Sequence, residues 1–363
     1  MTYKIAGKEV GDIGYGLLGK SACLPHHTPI TQQPQCQILI LSPGLTAYAV
    51  PDDKAFACIR AALDAGCNYL NGGEFYGPPD GNSPALLRRY LERYPEDASR
   101  IVVNIKGALG QDYAPRGSKE GVRESIDACI RTLGPNGRIN QFEAARKDPK
   151  ADYTEETLAA IDEYVKAGKI DGISCSEINA DTLRKAAEKY TVTSIELELS
   201  LFYNEPMTNG LLEACGELDI PVLAYWTDWH APPTAPLGRG LLGGKIKSAE
   251  DIPKGDMRLH HPRFQGDNLQ KNLELVAKVE EIANRKGCTA GQVAINWLLA
   301  LSRNPGMPKI IPIPGSTNPD RIRENATVVD LTDKDMAEID EILASFTTAG
   351  TRYPAAAMDF LNL

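Results

Sequence analysis

Residues 101–133 read IVVNIKGALGQDYAPRGSKEGVRESIDACIRTL, and a change of period inside this stretch decides the fold. Ile101–Ile105 is a β-branched run of strand length. Further on, Val122, Ile126, Cys129, Ile130 and Leu133 share one face of a helix, because their spacing follows the 3.6-residue turn. The same succession recurs along the chain. Cys67–Asn71 precedes a helix at Ser83–Arg93. Ile139–Phe142 precedes a helix from Thr154 with Leu158, Ile161 and Val165 on one side. Ile170–Ser174 precedes a helix that Asn179 is placed to cap, and Ser194–Leu199 leads to Gly210–Leu218.

Ile220–Tyr225 follows, then a helix carrying Val276, Val279 and Ile282 and ending at Gly287. Thr289 and Gln292 open another helix as a capping pair. Lys309–Ile313 is the last strand, before a helix with Asn318 as cap and Pro319 in its first turn. A C-terminal helix starts at Thr332, with Asp335 three residues on. With Ile13–Leu17 as the first strand, the strands begin at 13, 67, 101, 139, 170, 194, 220 and 309. Eight strands alternating with helices predict an α/β fold, a (β/α)8 TIM barrel formed as one domain over residues 1–363. A doubly wound open sheet is the rival. It would want a glycine-rich turn running from its first strand into a helix, and Gly14-Tyr-Gly-Leu-Leu-Gly19 does not supply one.

Two stretches break the rhythm. Residues 20–43 hold SACLPHHTPITQQPQCQILILSP after Lys20, and residues 226–235 read WTDWHAPPTA. Both leave the end of the barrel where active sites lie, and read either as substrate-gating loops or as disordered insertions. For the first a third reading is a retained intron, since removing it rejoins Gly-Leu-Leu-Gly19 to Leu45-Thr46. In composition the chain is ordinary, 42% hydrophobic and 24% charged. A net charge of −9 gives no electrostatic reason for a nucleic-acid or anionic-membrane partner. No apolar run approaches the roughly 20 residues of a spanning helix. The first residues read as a hairpin start rather than a secretory signal. The eight cysteines are scattered without C-x-x-C, so no metal site is expected and a reducing cytoplasm fits best.

The strand ends carry the chemistry. Asn71-Gly-Gly-Glu-Phe-Tyr76-Gly77 closes the second strand. Asn104-Ile-Lys106-Gly107, Phe142-Glu-Ala-Ala-Arg146-Lys-Asp148 and Gly172-Ile-Ser174 follow on the next three. Then come Glu196-Leu-Glu198, Ala224-Tyr225, Pro236-Leu-Gly-Arg-Gly240, Ile311-Pro-Ile-Pro-Gly315-Ser316 and Arg321-x-x-Glu324-Asn325. In this order the strings resemble the aldo-keto reductases, whose first motif is Asp-Thr-Ala-x-x-Tyr-Gly. The form with Asn71 is similar to the fungal pyridoxal-reductase branch.

That resemblance implies NADPH-dependent reduction of a small aldehyde, pyridoxal to pyridoxine first among the pairs, by a monomer. Reducing a carbonyl by hydride needs a proton donor beside the developing alkoxide. Tyr76 takes that role, its phenol tuned by the Lys106 ammonium. Asn71 stands where the family has the aspartate that pairs with this lysine, so it accepts a hydrogen bond without supplying counter-charge. An unpaired ammonium would fall in pKa yet pull harder on Tyr76, which leaves the net direction open. The family's histidine falls on Ala145, and no histidine at 26, 27, 230, 260 or 261 is placed to replace it. Arg146 and Glu143 are the candidates to compensate and to contact substrate, Arg146 by orienting it.

For the cofactor, Ser316 and Arg321 match positions that hold the adenosine 2′-phosphate, which favours NADPH. The helix start near Asn318 adds backbone N–H groups. Gly315 stands where many relatives have lysine. Glu324 and Asn325 would bind the adenine, and Tyr225 would stack on the nicotinamide. Ser174 would hold the carboxamide together with Glu196, which replaces the usual glutamine, while Cys175 replaces an asparagine. Leu237 and Arg239 would track the pyrophosphate. Ala145 and Asn71 also motivate an alternative: a catalytically impaired NADPH-binding homologue acting as a binding or regulatory module.

Overall fold

The computed structural model describes residues 3–17, 50–78, 80–110, 112–225, 241–242, 246–252, 259 and 261–352. The two irregular stretches, with Leu237 and Arg239, lie outside the described residues. A hairpin opens the chain, β1 (Tyr3–Ile5) antiparallel to β2 (Lys8–Val10). Eight parallel strands follow: β3 (Tyr15–Gly16), β4 (Tyr69–Gly73), β5 (Val102–Gly107), β6 (Gln141–Ala144), β7 (Gly172–Ser176), β8 (Val192–Glu198), β9 (Val222–Tyr225) and β10 (Ile310–Pro312). Each pairs with its successor in sequence. The cylinder closes where the Gly14 amide donates to Pro312 O at 2.8 Å and the Gly16 amide to Pro314 O at 3.3 Å. This is the (β/α)8 barrel that the sequence predicts, and the open sheet is excluded. Most strands sit one or two residues further along the chain than their apolar runs.

Helices cover the outside: α1 (Asp52–Asp64), α2 (Ser83–Arg93), α3 (Lys119–Leu133), α4 (Ala159–Lys166), α5 (Ala180–Lys189), α6 (Leu211–Glu217), α7 (Asp267–Lys286), α8 (Ala290–Leu301), α9 (Pro319–Asn325) and α10 (Asp333–Ser345). The caps fall where the sequence places them. Asn179 Oδ1 accepts from the Thr182 amide at 2.8 Å, and Thr289–Gln292 and Thr332–Asp335 form reciprocal capping boxes. Gly287 ends α7 at φ 65°, a left-handed position that favours glycine. Before α4, residues Tyr153–Leu158 form a wider π-helical turn.

The strands have two apolar surroundings. Outward side chains such as Ile105, Phe142, Ile173 and Ile195 pack with the helices, and the fully buried Trp297 of α8 belongs to this layer. Inside the barrel Tyr69, Val102, Leu223, Ile311 and Ile313 cluster with Ile5 and Val10 of the hairpin, which plugs the N-terminal end. Burying one such aliphatic or aromatic side chain stabilises the fold by about 1.5–3 kcal/mol. Toward the other end the interior turns polar. Tyr69 donates to Gln141 Oε1 at 2.6 Å, Gln141 to Ser194 Oγ at 2.9 Å, and Ser194 to Ser174 Oγ at 2.8 Å. This chain of buried donors leads to the C-terminal strand ends, where active sites of such barrels lie.

Candidate active site

At the end of β5 the Lys106 side chain is buried, its ammonium among polar and aromatic groups. Nζ meets Glu196 Oε1 of β8 at 2.6 Å and Glu143 Oε1 of β6 at 3.6 Å. The Tyr225 ring of β9 lies over it, 4.9 Å from Nζ to the ring centre. Burial works against the ammonium, yet Glu196, with Tyr76 and Glu143, holds the Lys106 pKa above the ordinary lysine value. The lysine is therefore paired. This corrects the expectation of an ammonium without counter-charge: the carboxylate arrives from β8, across the barrel interior. Asn71 does not face the lysine as acceptor in this arrangement; its Nδ2 donates to Glu196 Oε2 at 2.6 Å.

Tyr76 sits in the turn after β4, with its side chain almost wholly buried and its ring edge-to-face with Phe75 at 4.9 Å. Burial raises the phenol above its usual pKa, Lys106 pulls it down, and Glu196 and Glu143 push it up again. The net direction is upward, so Tyr76 holds its proton at neutral pH. The ring sits so close because the strand end carries glycine: a Cβ on Gly73 would lie 2.8 Å from the Tyr76 ring.

Glu143 and Glu196 share the interior. Burial first, then the charge of Glu196, raises the Glu143 carboxyl well above the usual range. Burial opposes ionisation of Glu196 too, but Lys106 and its hydrogen bonds bring it below the ordinary value. The two shifts run in opposite directions because Lys106 lies closer to Glu196, which makes Glu196 the favoured carrier of the charge that answers the ammonium. Ser174 donates to Glu143 Oε2 at 2.8 Å. Glu143, expected to contact substrate, has no exposed surface and lies beside Lys106 in the barrel interior. Ser174, also without exposed surface, already donates to Glu143 and accepts from Ser194. Ser176, two residues further on the same face of β7, has a buried hydroxyl without a hydrogen-bond partner. The sequence reading passed over it, although the period of two from Ser174 would have found it.

Ala145 is fully buried, so the position of the family histidine offers no donor. Arg146 beside it is buried as well, with Nη1 donating to Ala145 O at 2.5 Å. Its charge is felt by Tyr76, Lys106 and Glu177, which places it at the same mouth. Around Tyr225 lies an ionic cluster that sequence reading missed altogether. The Tyr225 hydroxyl donates to Glu177 Oε1 at 2.9 Å. Arg352 grips Glu177 with both terminal nitrogens, at 2.9 and 3.0 Å, and Glu198 Oε2 with Nε at 2.5 Å. Arg263 reaches Glu198 Oε1 at 3.3 Å. Glu177 has φ 52°, an uncommon conformation for a non-glycine residue, at the end of β7.

The residues expected to hold the adenosine part of a dinucleotide lie between the end of β10 and the end of α9. Ser316 is buried, and its Oγ accepts from the Asn318 amide at 3.1 Å. Arg321 is half-buried at the start of α9. The amides of Asp320 and Arg321 are already taken by Asn318 Oδ1, at 2.8 and 3.3 Å. Glu324 Oε1 accepts from Thr289 Oγ1 at 3.0 Å, while the buried Asn325 Oδ1 has no partner. Asn325 at the end of α9 and Ser176 at the end of β7 each keep a buried polar atom without a partner, open to a ligand.

The profile of the Aldo/keto reductase family matches residues 42–344. The chain belongs to this family. It is 32% identical over 360 residues to the Schizosaccharomyces pombe protein named "Probable pyridoxal reductase 2", covering 96% of each chain. It is 32% identical to the aldo-keto reductase yakc of the same organism, whose name carries NADP(+), over 98% of this chain and 95% of that one. Among solved structures, the glycerol dehydrogenase of Gluconobacter oxydans superposes with a TM-score of 0.75 at 22% identity, over 96% of this chain and 97% of that one. That likeness speaks to the barrel alone. Membership of the family makes the chain an oxidoreductase, and the pyridoxal-reductase branch is the one it resembles.

Proposed function

We propose that this protein reduces an aldehyde to an alcohol with NADPH, pyridoxal to pyridoxine being the substrate pair we favour. The observation that carries this reading is the buried Lys106 ammonium, ion-paired to Glu196 and acting on the protonated Tyr76 at the C-terminal mouth of the barrel. When bound, the reduced dinucleotide supplies the hydride. Ser316 and Arg321 would hold its 2′-phosphate, Glu324 and Asn325 its adenine, with Gly315 lining the same site. Tyr225, tethered through Glu177, would carry the nicotinamide ring, with Ser174 and Ser176 around its carboxamide; Glu196, expected there from the sequence, has both oxygens engaged by Lys106 and Asn71 instead. Leu237 and Arg239 are proposed on sequence grounds for the pyrophosphate.

The chain's own part in the chemistry is a proton. Tyr76 donates from its hydroxyl to the carbonyl oxygen as negative charge develops there, and the neighbouring ammonium stabilises the phenolate left behind. Arg146 would fix the orientation of the substrate from the next strand end. The name of the S. pombe relative supports pyridoxal, and that of yakc supports NADP(+).

The test is NADPH consumption with pyridoxal against a panel of other aldehydes, run on the wild type and on Tyr76→Phe. Turnover in the wild type, abolished in the variant while NADPH still binds, supports the reading; undiminished turnover in Tyr76→Phe refutes it. The buried Ala145 favours a second reading, a dinucleotide-binding module with little catalysis. Tight NADPH binding by fluorescence with no oxidation on any aldehyde would decide for it.

A further inference from the structure

Two departures from the family pattern touch each other. Asn71 on β4 stands where the family has an acid, and Glu196 on β8 where it has an amide. In the structure the two side chains are hydrogen-bonded, Asn71 Nδ2 to Glu196 Oε2 at 2.6 Å. The other oxygen of the same carboxylate meets Lys106 Nζ, also at 2.6 Å. An amide and an acid have thus exchanged strands, and the lysine keeps one close carboxylate.

We propose that Glu196 is the counter-ion and positioning residue of Lys106, doing from β8 what an acid on β4 does elsewhere in the family, with Asn71 as its orienting donor. This rests on the reading of Tyr76 as proton donor tuned by Lys106. The geometry needs both partners. A buried ammonium without a carboxylate is costly, and a carboxylate with only one oxygen fixed is free to rotate away. Asn71 fixes the second oxygen. An aspartate at position 71 beside Glu196 would instead place two carboxylates at hydrogen-bond distance, where they repel.

Among the described residues, the charged and titratable groups around the pair are these. Lys106 is faced by Glu196 from β8, Glu143 from β6, Arg146 after β6, Tyr76 after β4 and the Tyr225 ring from β9. Glu196 is faced by Lys106, Glu143 and Asn71, with Tyr69 one layer deeper. The negative charge of Glu196 holds protons on both Lys106 and Tyr76. Making it neutral releases a proton from that couple at lower pH, so the alkaline limb of the rate profile moves down.

The experiment is the pH profile of kcat/KM for aldehyde reduction, with NADPH binding by fluorescence and thermal melting, on Glu196→Gln, Asn71→Asp and Asn71→Asp/Glu196→Gln. In Glu196→Gln the alkaline limb falls by about one pH unit or more and kcat drops about tenfold or more. The double variant, which returns the acid to β4, brings the limb and most of the rate back; Asn71→Asp alone loses rate and does not. NADPH affinity stays within about threefold throughout. A Glu196→Gln variant with an unmoved limb and weakened NADPH binding overturns the proposal, because that is the signature of a coenzyme ligand. So does a double variant that folds but is no better than the single. If Glu196→Gln fails to fold, the double variant decides alone: folded and active supports the exchange, folded and inactive refutes it. Retained turnover in Tyr76→Phe would sink the reductase reading itself, whereas a dead Tyr76→Phe with an unmoved limb in Glu196→Gln sinks only the counter-ion.

Discussion

Tyr225 donates its hydroxyl to Glu177, and Arg352 closes on the same carboxylate from 175 residues further along the chain. The ring proposed to carry the nicotinamide is thereby tied to the C-terminal segment through one buried acid. Asn272 strengthens the tie by pairing with Ala349 in both directions, at 3.0 and 2.9 Å.

Removing the arginine leaves Glu177 and Glu198 buried with their main cation gone. Arg352→Ala is expected to cost about 3–5 kcal/mol, the loss that follows when one partner of a buried pair is deleted. Urea unfolding followed by circular dichroism measures it, and a midpoint equal to the wild type would show the clasp to be dispensable.

The same clasp makes the fold acid-sensitive. Burial opposes the Glu177 charge, but Arg352 outweighs it and sets the carboxyl at about 2. Its folded pKa is thus below the unfolded one. The stabilisation is complete above the ordinary carboxylate range of about 4.3 and is lost as pH falls through that value toward 2. It is of the order of 3 kcal/mol. In Glu177→Gln the slope of stability against pH between about 5 and 2 is expected to flatten; an unchanged slope would assign acid sensitivity to other carboxyls.

How much of this was legible beforehand follows from the range of each interaction. Caps such as Asn179, Asn318 and Thr332 act within three residues, so their side chains announce them. The barrel strands were legible through apolar runs, although Ile13–Leu17 shrinks to the two residues Tyr15 and Gly16, because closure there uses only a pair of backbone bonds. Helix α1 went unnamed: Pro51 precedes it without a side-chain cap. Tyr76 and Lys106 were readable from strings at strand ends. The state of Lys106 was not, since its counter-charge lies 90 residues away on β8. Arg352 and Arg263 illustrate the same limit, for pairings across the barrel mouth leave no periodic signal.

Gly73 gives a prediction local to the proton donor. The family motif has alanine at this position, but here a Cβ would lie 2.8 to 2.9 Å from three atoms of the Tyr76 ring, well inside contact distance. Gly73→Ala must push the ring outward while β4 keeps its pairing. A fall in kcat of about tenfold or more with little change in melting temperature is expected, since misplacing a reacting group by about 1 Å costs up to 10²-fold. Steady-state kinetics on a folded variant checks it, and wild-type kcat would show that the ring has room to move.

Coenzyme choice offers the last test. Arg321 is half-buried at the start of α9, near Ser316, and the backbone amides there are already engaged by Asn318. Recognition of a 2′-phosphate would therefore fall on the guanidinium rather than on the helix end. A charge-assisted contact of about 1.5–3 kcal/mol corresponds to roughly 10- to 150-fold in affinity. Arg321→Ala should raise KM for NADPH by that factor and leave KM for NADH, which lacks the phosphate, within about twofold. If both rise together, Arg321 supports the fold of the adenosine pocket and does not read the phosphate. If neither changes, the phosphate is held elsewhere, and the basis for preferring NADPH moves away from this strand end.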